Sequence, residues 1–139
     1  MLDLGHYIAG PYCGKLMADM GATVIKVEPP DGEPGRHLAP FVHDKPSMES
    51  SLPFFYLNSN KKGITINLKT PNGVSLLKDL VKDTDIIIEN FSPGTMDKLG
   101  LGYETLKTIN SSVILVSISN FGQTGPYRDY QATEITEYA

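Results

Sequence analysis

Residues 85–94 read DIIIENFSPG, in which three isoleucines run directly into polar residues, a proline and a glycine. An apolar run without alternation predicts a strand that is covered on both faces, as in a parallel sheet. Residues 113–118, VILVSI, repeat the pattern and predict a second strand of this kind. Further strands are predicted at Met1–Leu4, at Thr23–Glu28 and, from its alternating apolar residues, at Ile64–Leu68. The chain therefore contains five short β-segments.

Helical patterns separate these strands. One helix is predicted from Gly10-Pro11 to about Met20, with proline at its first position and Gly21 ending it. Thr70-Pro71 starts a second helix, whose predicted inner face consists of Val74, Leu76, Leu77, Leu80 and Val81. Shorter helices are predicted at Leu52–Asn58, Thr95–Leu99 and Tyr103–Ile109. The alternation predicts an α/β fold with a Rossmann-like, mostly parallel sheet and helices on both faces.

A ligand is expected in the loops that follow the strands, because open α/β sheets bind ligands at the carboxyl ends of their strands. These loops are Gly5–Pro11, Glu28–Arg36, the region of Lys69, Glu89–Gly94 and Ser119–Tyr127. From Asp31 to about Ser51 the chain is rich in proline, glycine and polar residues. A loop of that length is usually functional or mobile.

Composition excludes several classes of protein. A net charge of −4 and a pI near 5.3 argue against a nucleic-acid or anionic-membrane surface, since both need a basic footprint. No apolar run approaches the roughly 20 residues of a membrane span, and no signal-peptide pattern opens the chain. The single Cys13 fits a reducing compartment, so we expect a cytoplasmic protein with Cys13 as a small buried apolar residue. His6 is expected to be a surface or hydrogen-bonding side chain, and His37 and His43 lack metal-ligand spacing, so no metal is expected.

Taken singly, the loops do not identify a ligand. Gly5–Pro11 lacks both the dinucleotide pattern G-x-G-x-x-G and the P-loop pattern. Glu28 stands where a ribose-binding acid would stand, although a charged strand end is the simpler explanation. Glu89–Gly94, with Lys98 one turn beyond, fits an anion site at a helix start or an ordinary connection equally well. The glycines of Phe121–Tyr127 permit close approach of a ligand, and an ordinary loop fits as well.

Taken in order, the motifs of this chain resemble those of the family III CoA-transferases (CaiB/BaiF type), a family that includes formyl-CoA transferase, carnitine-CoA transferases and, as a relative, α-methylacyl-CoA racemase. The similarity covers nearly the whole chain. Eight motifs carry it: Leu2–Leu4, Ala9–Pro11, Leu16–Ala22, Val24–Glu28, Asn60–Lys62, Glu89–Gly94, Leu99–Tyr103 and Phe121–Tyr127. One such motif would mean little, whereas eight in one order are highly specific.

The resemblance implies a CoA-binding, Rossmann-like domain and a homodimer whose two chains interlock. It places CoA contacts at Tyr7, Ile8, Arg36, Ile66, Lys69, Asn90, Phe91 and Lys98. The charges agree with this assignment, because CoA carries several phosphate charges and Arg36, Lys69 and Lys98 are cations in an acidic chain.

The resemblance also implies the chemistry. Family members use an Asp carboxylate that forms an anhydride with the acyl group and then a thioester with CoA. That Asp would lie roughly 25–30 residues beyond Glu134, outside residues 1–139, so the chain is expected to be the N-terminal part of the large domain and inactive alone. Glu134 matches a position near the reacting carboxylate, where it is either active-site support or a surface acid.

Two nearby positions bear on the branch of the family. Thr133 stands where the racemase has its catalytic His, and a threonine cannot abstract an α-proton near neutral pH, which favours a transferase over a racemase. Gln131 stands where some members carry Lys, which leaves a CoA contact there in doubt. A non-catalytic CoA- or nucleotide-binding module is the alternative function. An NAD-dependent oxidoreductase is improbable without the dinucleotide glycines.

Overall fold

The computed structural model describes residues 1–132. Its centre is a five-stranded sheet in the order β3-β2-β1-β4-β5, in which every neighbouring pair is parallel. The strands are β1 (Leu2–Asp3), β2 (Ile25–Glu28), β3 (Lys62–Thr65), β4 (Ile86–Glu89) and β5 (Ile114–Ser117). The predicted α/β fold with a parallel sheet is confirmed.

Five helices connect the strands: α1 (Ala9–Asp19), α2 (Leu52–Asn58), α3 (Pro71–Val81), α4 (Thr95–Lys98) and α5 (Tyr103–Ile109). Helix α1 contacts α2, and α3 contacts α5. The chain moves outward in one direction through β2 and β3 and in the other through β4 and β5, so right-handed crossovers put these two helix pairs on opposite faces of the sheet. None of the helices within residues 1–132 is long and apolar enough to cross a membrane.

The core lies between the sheet and the α3/α5 layer. Ile87 of β4 and Leu77 of α3 are completely buried, and Leu101 and Leu106 complete the same cluster. Leu76 was predicted on the inner face of α3, and this prediction is wrong: the side chain is 57% exposed. Leu77 and Val81, four residues apart, take the inward positions, and Leu76 is rotated about 100° away from Leu77.

Two strand predictions also need correction. β3 pairs with β2 over Lys62–Thr65, two to three residues earlier than predicted, so the buried Ile66 lies just beyond the strand. Within residues 1–132, β5 lies at the edge of the sheet and Ile114 is 56% exposed, so this part of the chain does not supply the cover on both faces that the apolar run predicted. Cys13 is half-buried on α1 and is not the fully buried residue that was expected.

The long excursion between β2 and α2 is tied down by side-chain contacts. Ser51 caps α2 by accepting a hydrogen bond from Phe54 N, and its hydroxyl reaches the carbonyl oxygens of Gly35 and Leu38 at 3.1 and 2.7 Å. Two short 3-10 turns, Pro34–His37 and Val42–Asp44, fold the segment back on itself. The excursion therefore returns to the carboxyl end of β2, next to the predicted ligand edge.

Candidate functional site

Three adjoining cavities lie at the carboxyl edge of the sheet. The central cavity, of about 580 Å³, contains His6, Glu28, Ile66, Lys69 and Phe91 in its lining. Lys69 and Leu99 are shared with the lysine cavity, of about 530 Å³, and Phe91 is shared with the loop cavity, of about 400 Å³. The edge therefore offers one extended, three-part surface for a ligand, at the place where the strand order predicts it.

The lysine cavity is cationic. Lys69, Lys78 and Lys98 line it, together with small polar and apolar residues and no acid. None of the three ammonium groups forms an ion pair with a residue in the 1–132 range. Lys69 and Lys98 were predicted site residues, and the structure brings them together. Lys78 was not predicted, although its position on α3, four residues after the cavity-lining Val74, is a helical spacing that would have indicated it.

The central cavity supplies an apolar surface beside those cations. Ile66 and Phe91 line it, and the His6 ring packs edge-on against Phe91 at a centroid distance of 5.0 Å. Burial, with the charge of Lys26 adding to it, lowers the pKa of His6, so the imidazole is held neutral. A flat or apolar portion of a ligand fits between these groups.

Asn90 holds the loop after β1 in place. Its Oδ1 accepts a hydrogen bond from His6 N at 2.6 Å, and its Nδ2 donates to His6 O at 2.9 Å. Both polar atoms of the amide thus contact backbone, although Asn90 also lines the loop cavity. Tyr7 and Ile8, on the same loop, are 51% and 60% exposed and line none of the three cavities.

A cluster of buried charges, which was not predicted from the sequence, lies under this loop. Lys61 Nζ contacts Asp3 Oδ2 at 2.7 Å and also donates to Pro11 O. Lys26 Nζ donates to Gly5 O and lies 3.8 Å from Asp3 Oδ1. Gly5 N donates to that same oxygen at 2.8 Å. The two lysines and Asp3 therefore fix the start and the end of the loop from below.

Glu33 adds a fourth charge to the cluster and holds the middle of the loop. Its Oε2 accepts a hydrogen bond from Tyr7 N at 3.0 Å and lies 4.0 Å from Lys26 Nζ. Burial raises the pKa of Glu33 and lowers the pKa of Lys61, because both charged forms are removed from water. Charged residues inside two apolar strands, Lys26 in β2 and Asp3 in β1, were the signals in the sequence that pointed to such a cluster.

Arg36 lies outside the three cavities. Its Nε and Nη2 donate to the two carboxylate oxygens of Glu28 at 2.6 and 2.9 Å, and its Nη1 reaches Glu49 at 3.1 Å. The guanidinium also stacks on the Phe54 ring at 3.9 Å. Burial alone would raise the pKa of Glu28, but hydrogen bonds from Arg36 and from Glu33 N hold it below its usual value. Glu28 thus pairs with Arg36 while it also lines the central cavity.

The loop cavity lies on the other side of Phe91. Asn90, Ser92, Ser119 and Arg128 line it, and Gln131 contributes to its rim. Thr133 and Glu134 lie outside the described residues. Within residues 1–132 no group of three His, Cys, Asp or Glu side chains could hold a metal ion.

The chain is similar to known proteins over nearly its whole length. The model of CoA-transferase family III matches residues 1–139. The chain belongs to this family. A succinyl-CoA–D-citramalate CoA-transferase from Chloroflexus aurantiacus is 48% identical over 134 residues, which make up 93% of this chain and 31% of that protein. A succinate–glutarate CoA-transferase from Agrobacterium fabrum is 41% identical over 133 residues, 94% of this chain and 33% of that protein.

A solved structure shows the same fold. The crystal structure of a CAIB/BAIF family protein from Brucella suis superposes with a TM-score of 0.87 at 40% identity, over 97% of this chain and 36% of that one. This family III chain thus spans about a third of the length of the relatives that it matches.

Proposed function

We propose that this chain forms the CoA-holding part of an acyl-CoA transferase, which moves CoA between carboxylic acids. The observation that carries the proposal is the lysine cavity, where three ammonium groups without an ion pair in residues 1–132 adjoin the apolar side chains of the central cavity. CoA has the matching chemistry, since it joins phosphate groups to a flat adenine and a largely apolar arm. Membership of the CoA-transferase family selects CoA from among other phosphorylated ligands.

In this proposal Lys69 and Lys98 bind phosphate oxygens of CoA, and Lys78 lies beside them as a third cation. Ile66 and Phe91 pack against apolar or aromatic portions of the ligand. The exposed side chains of Tyr7 and Ile8 add contacts from the loop after β1. Asn90 acts from the rim of the loop cavity while its amide keeps that loop in position.

Arg36 is a proposed CoA contact of a different kind. Its bidentate pair with Glu28 is partly buried, and its Nη1 also donates to Met48 O at 2.9 Å. The second acceptor of Nη1, Glu49, is 78% exposed and therefore well solvated. A phosphate group could replace Glu49 on Nη1 without breaking the pair with Glu28. Arg36 would then bind CoA with one edge of the guanidinium and stabilise the excursion with the other.

The transfer itself would use an Asp carboxylate outside residues 1–139. The carboxylate attacks the donor thioester, so that an anhydride forms and the CoA thiolate leaves. The thiolate then attacks the aspartyl carbonyl, which frees the donor acid and forms an aspartyl thioester. The acceptor carboxylate enters by the reverse of these steps, and the Asp is regenerated. Glu134 is proposed as support for this site.

The names of two relatives support a substrate class. The transferases from Chloroflexus aurantiacus and Agrobacterium fabrum are named for succinyl-CoA or succinate, citramalate and glutarate, which are dicarboxylic acids or a CoA thioester of one. We propose that the acids used here are dicarboxylic as well. We further propose a cytoplasmic homodimer of interlocked chains as the working form.

Ligand binding tests the CoA-holding role. In the protein that carries this chain, CoA at 100 times its Kd should raise the free energy of unfolding by about 2.7 kcal/mol, seen as a shift in melting temperature. NAD at the same concentration is the control and should give no shift. Equal stabilisation by NAD, or none by CoA, would contradict a CoA site.

Product analysis then tests the transfer. With succinyl-CoA and a second acid, chromatography should detect the new acyl-CoA together with free succinate. If CoA binds but no acid exchanges, the chain is part of a non-catalytic CoA-binding module, which is the alternative function.

A further inference from the structure

The loop cavity contains a cation that the binding of CoA phosphates does not use. We infer that this cavity receives the acyl group and that Arg128 binds a second carboxylate on it, so that the enzyme selects dicarboxylic over monocarboxylic acyl groups. The inference rests on the proposed function and adds to it a residue that determines specificity for the acyl group.

The charge of the cavity supports this assignment. Arg128 is the one charged side chain in its lining, among residues 1–132. The nearest carboxylate, that of Asp129, lies 3.9 Å from Nε and is 82% exposed. A solvated acid at that distance neutralises the guanidinium only weakly. The cavity therefore favours an anion over a neutral group.

Hydrogen bonding supports it independently. Arg128 Nε and Ser119 Oγ are both buried, and neither has a hydrogen-bond partner within the described part of the chain. Both side chains line the loop cavity. A buried polar atom without a partner is costly, and a polar ligand group that enters the cavity and reaches both atoms would remove that cost. A carboxylate does so, because it accepts from a guanidinium and from a hydroxyl at once.

Arg128 lies in a loop whose aromatic residues contact one another. The rings of Phe121, Tyr127 and Tyr130 pack on one another with centroid distances of 5.2 to 6.5 Å, which closes the loop on both sides of Arg128. Its Nη2 lies over Gly94, where an added Cβ would come within 3.0 Å of it. The guanidinium is thus positioned between the aromatic loop and the start of α4.

The position of the cavity favours an acyl carboxylate over a phosphate. The cations suited to phosphate line the lysine cavity, beyond the central cavity, whereas Arg128 lies on the opposite side of Phe91. A ligand whose phosphates occupy the lysine cavity would direct its other end past Phe91. About 400 Å³ is enough for a short acyl group, at the small end of ligand cavities.

Matched acids test the inference in the complete protein. The acceptors are succinate against butyrate and glutarate against pentanoate, which differ only in the second carboxylate. Wild type should prefer the diacid of each pair. R128M should lower kcat/KM for the diacids by about 10- to 100-fold and change that for the monoacids by less than about threefold, because only the diacids lose a charged hydrogen bond. R128K should retain part of the preference, since it keeps the charge without the planar fork.

D129N is the matched control, because it removes the neighbouring charge on the same loop and should keep the wild-type preference. An equal loss for both members of a pair, or a wild type without preference, would overturn the inference and leave the transferase function standing. If no acid is transferred at all, the proposed function fails. The inference is then decided by binding, from the Kd of butyryl-CoA divided by the Kd of succinyl-CoA. R128M should reduce this ratio about 10-fold or more, and R128K should reduce it by less.

Discussion

Lys61→Met removes the cation that pairs most closely with Asp3 in the cluster under the β1 loop. The side chains of Lys61 and Asp3 are 1% and 0% exposed, and the ammonium also donates to Pro11 O and Asn58 Oδ1 at 2.7 and 2.9 Å. Methionine matches the length of the lysine stem but donates no hydrogen bond. Asp3 would then keep only Gly5 N as a close donor and Lys26 as a cation at 3.8 Å.

Breaking a buried ion pair by removing one partner costs about 3–5 kcal/mol, because the remaining charge stays buried. The charge of Lys26 offsets part of this cost, so we expect Lys61→Met to lower the free energy of unfolding by about 3 kcal/mol. Urea unfolding followed by circular dichroism measures the loss as a lower midpoint at an unchanged slope. That is a large part of the stability of an ordinary domain.

Lys82→Met is the matched control. Lys82 pairs with Asp79 at 2.6 Å, a distance as short as that of the buried pair, but both side chains are 62% exposed. Its removal should leave the unfolding midpoint unchanged, since solvent screens the pair. D3N/K61M should recover part of the loss, because the uncompensated charge is gone. Equal effects of Lys61→Met and Lys82→Met would refute the reasoning that burial sets the cost.

Three further predictions concern the ligand, the buried acid and the excursion. Calorimetry should show that Lys69→Met and Lys98→Met each weaken CoA binding about two- to fivefold at low salt and less at high salt. Lys107→Met, outside the cavities, is the control and should leave CoA binding unchanged. A loss that does not depend on salt would contradict a phosphate contact. Burial raises the pKa of Glu33 above its usual 4.5. Protonated Glu33 therefore contributes its full amount to the free energy of unfolding below pH 4.5, and this contribution is lost as the pH rises through the raised pKa. The free energy of unfolding of Glu33→Gln minus that of wild type should therefore grow from pH 4.5 toward neutrality, whereas a constant difference would rule out a shifted Glu33. Ser51→Ala should lower the free energy of unfolding in urea by about 1–2 kcal/mol, because it removes the α2 cap and the bonds to Gly35 and Leu38. Thr70→Ala, which removes the exposed cap of α3, should cost less. A larger loss for Thr70→Ala would be evidence against Ser51 as an anchor of the excursion.

Local patterns predicted most of the fold. Helices α2 and α5 have the predicted bounds, and all five strands exist. The errors have a common cause, since they concern how each element packs: Leu76 points outward on α3, β3 begins earlier than its apolar alternation, and Ile114 is exposed at the sheet edge. The neighbours that decide such details are distant in the chain, and no local pattern encodes them.

The candidate site divides in the same way. The resemblance to the family named Ile66, Lys69, Phe91 and Lys98 as site residues, and the structure brings these four together in two adjoining cavities. Arg36 has the predicted position on the excursion, but its pairing with Glu28 was not predicted. Their binding of CoA stays a prediction.

The sequence by itself determined the α/β class, the order of its elements and membership of the CoA-transferase family, because periodicity and motif order are local and linear properties. Only the tertiary structure decided that Lys61 and Asp3, 58 residues apart, share one buried ion pair, and that Arg128 faces a cavity with Ser119. Burial and charge compensation depend on which distant groups share a low-dielectric space. They come into existence only when the sheet and its helices have packed.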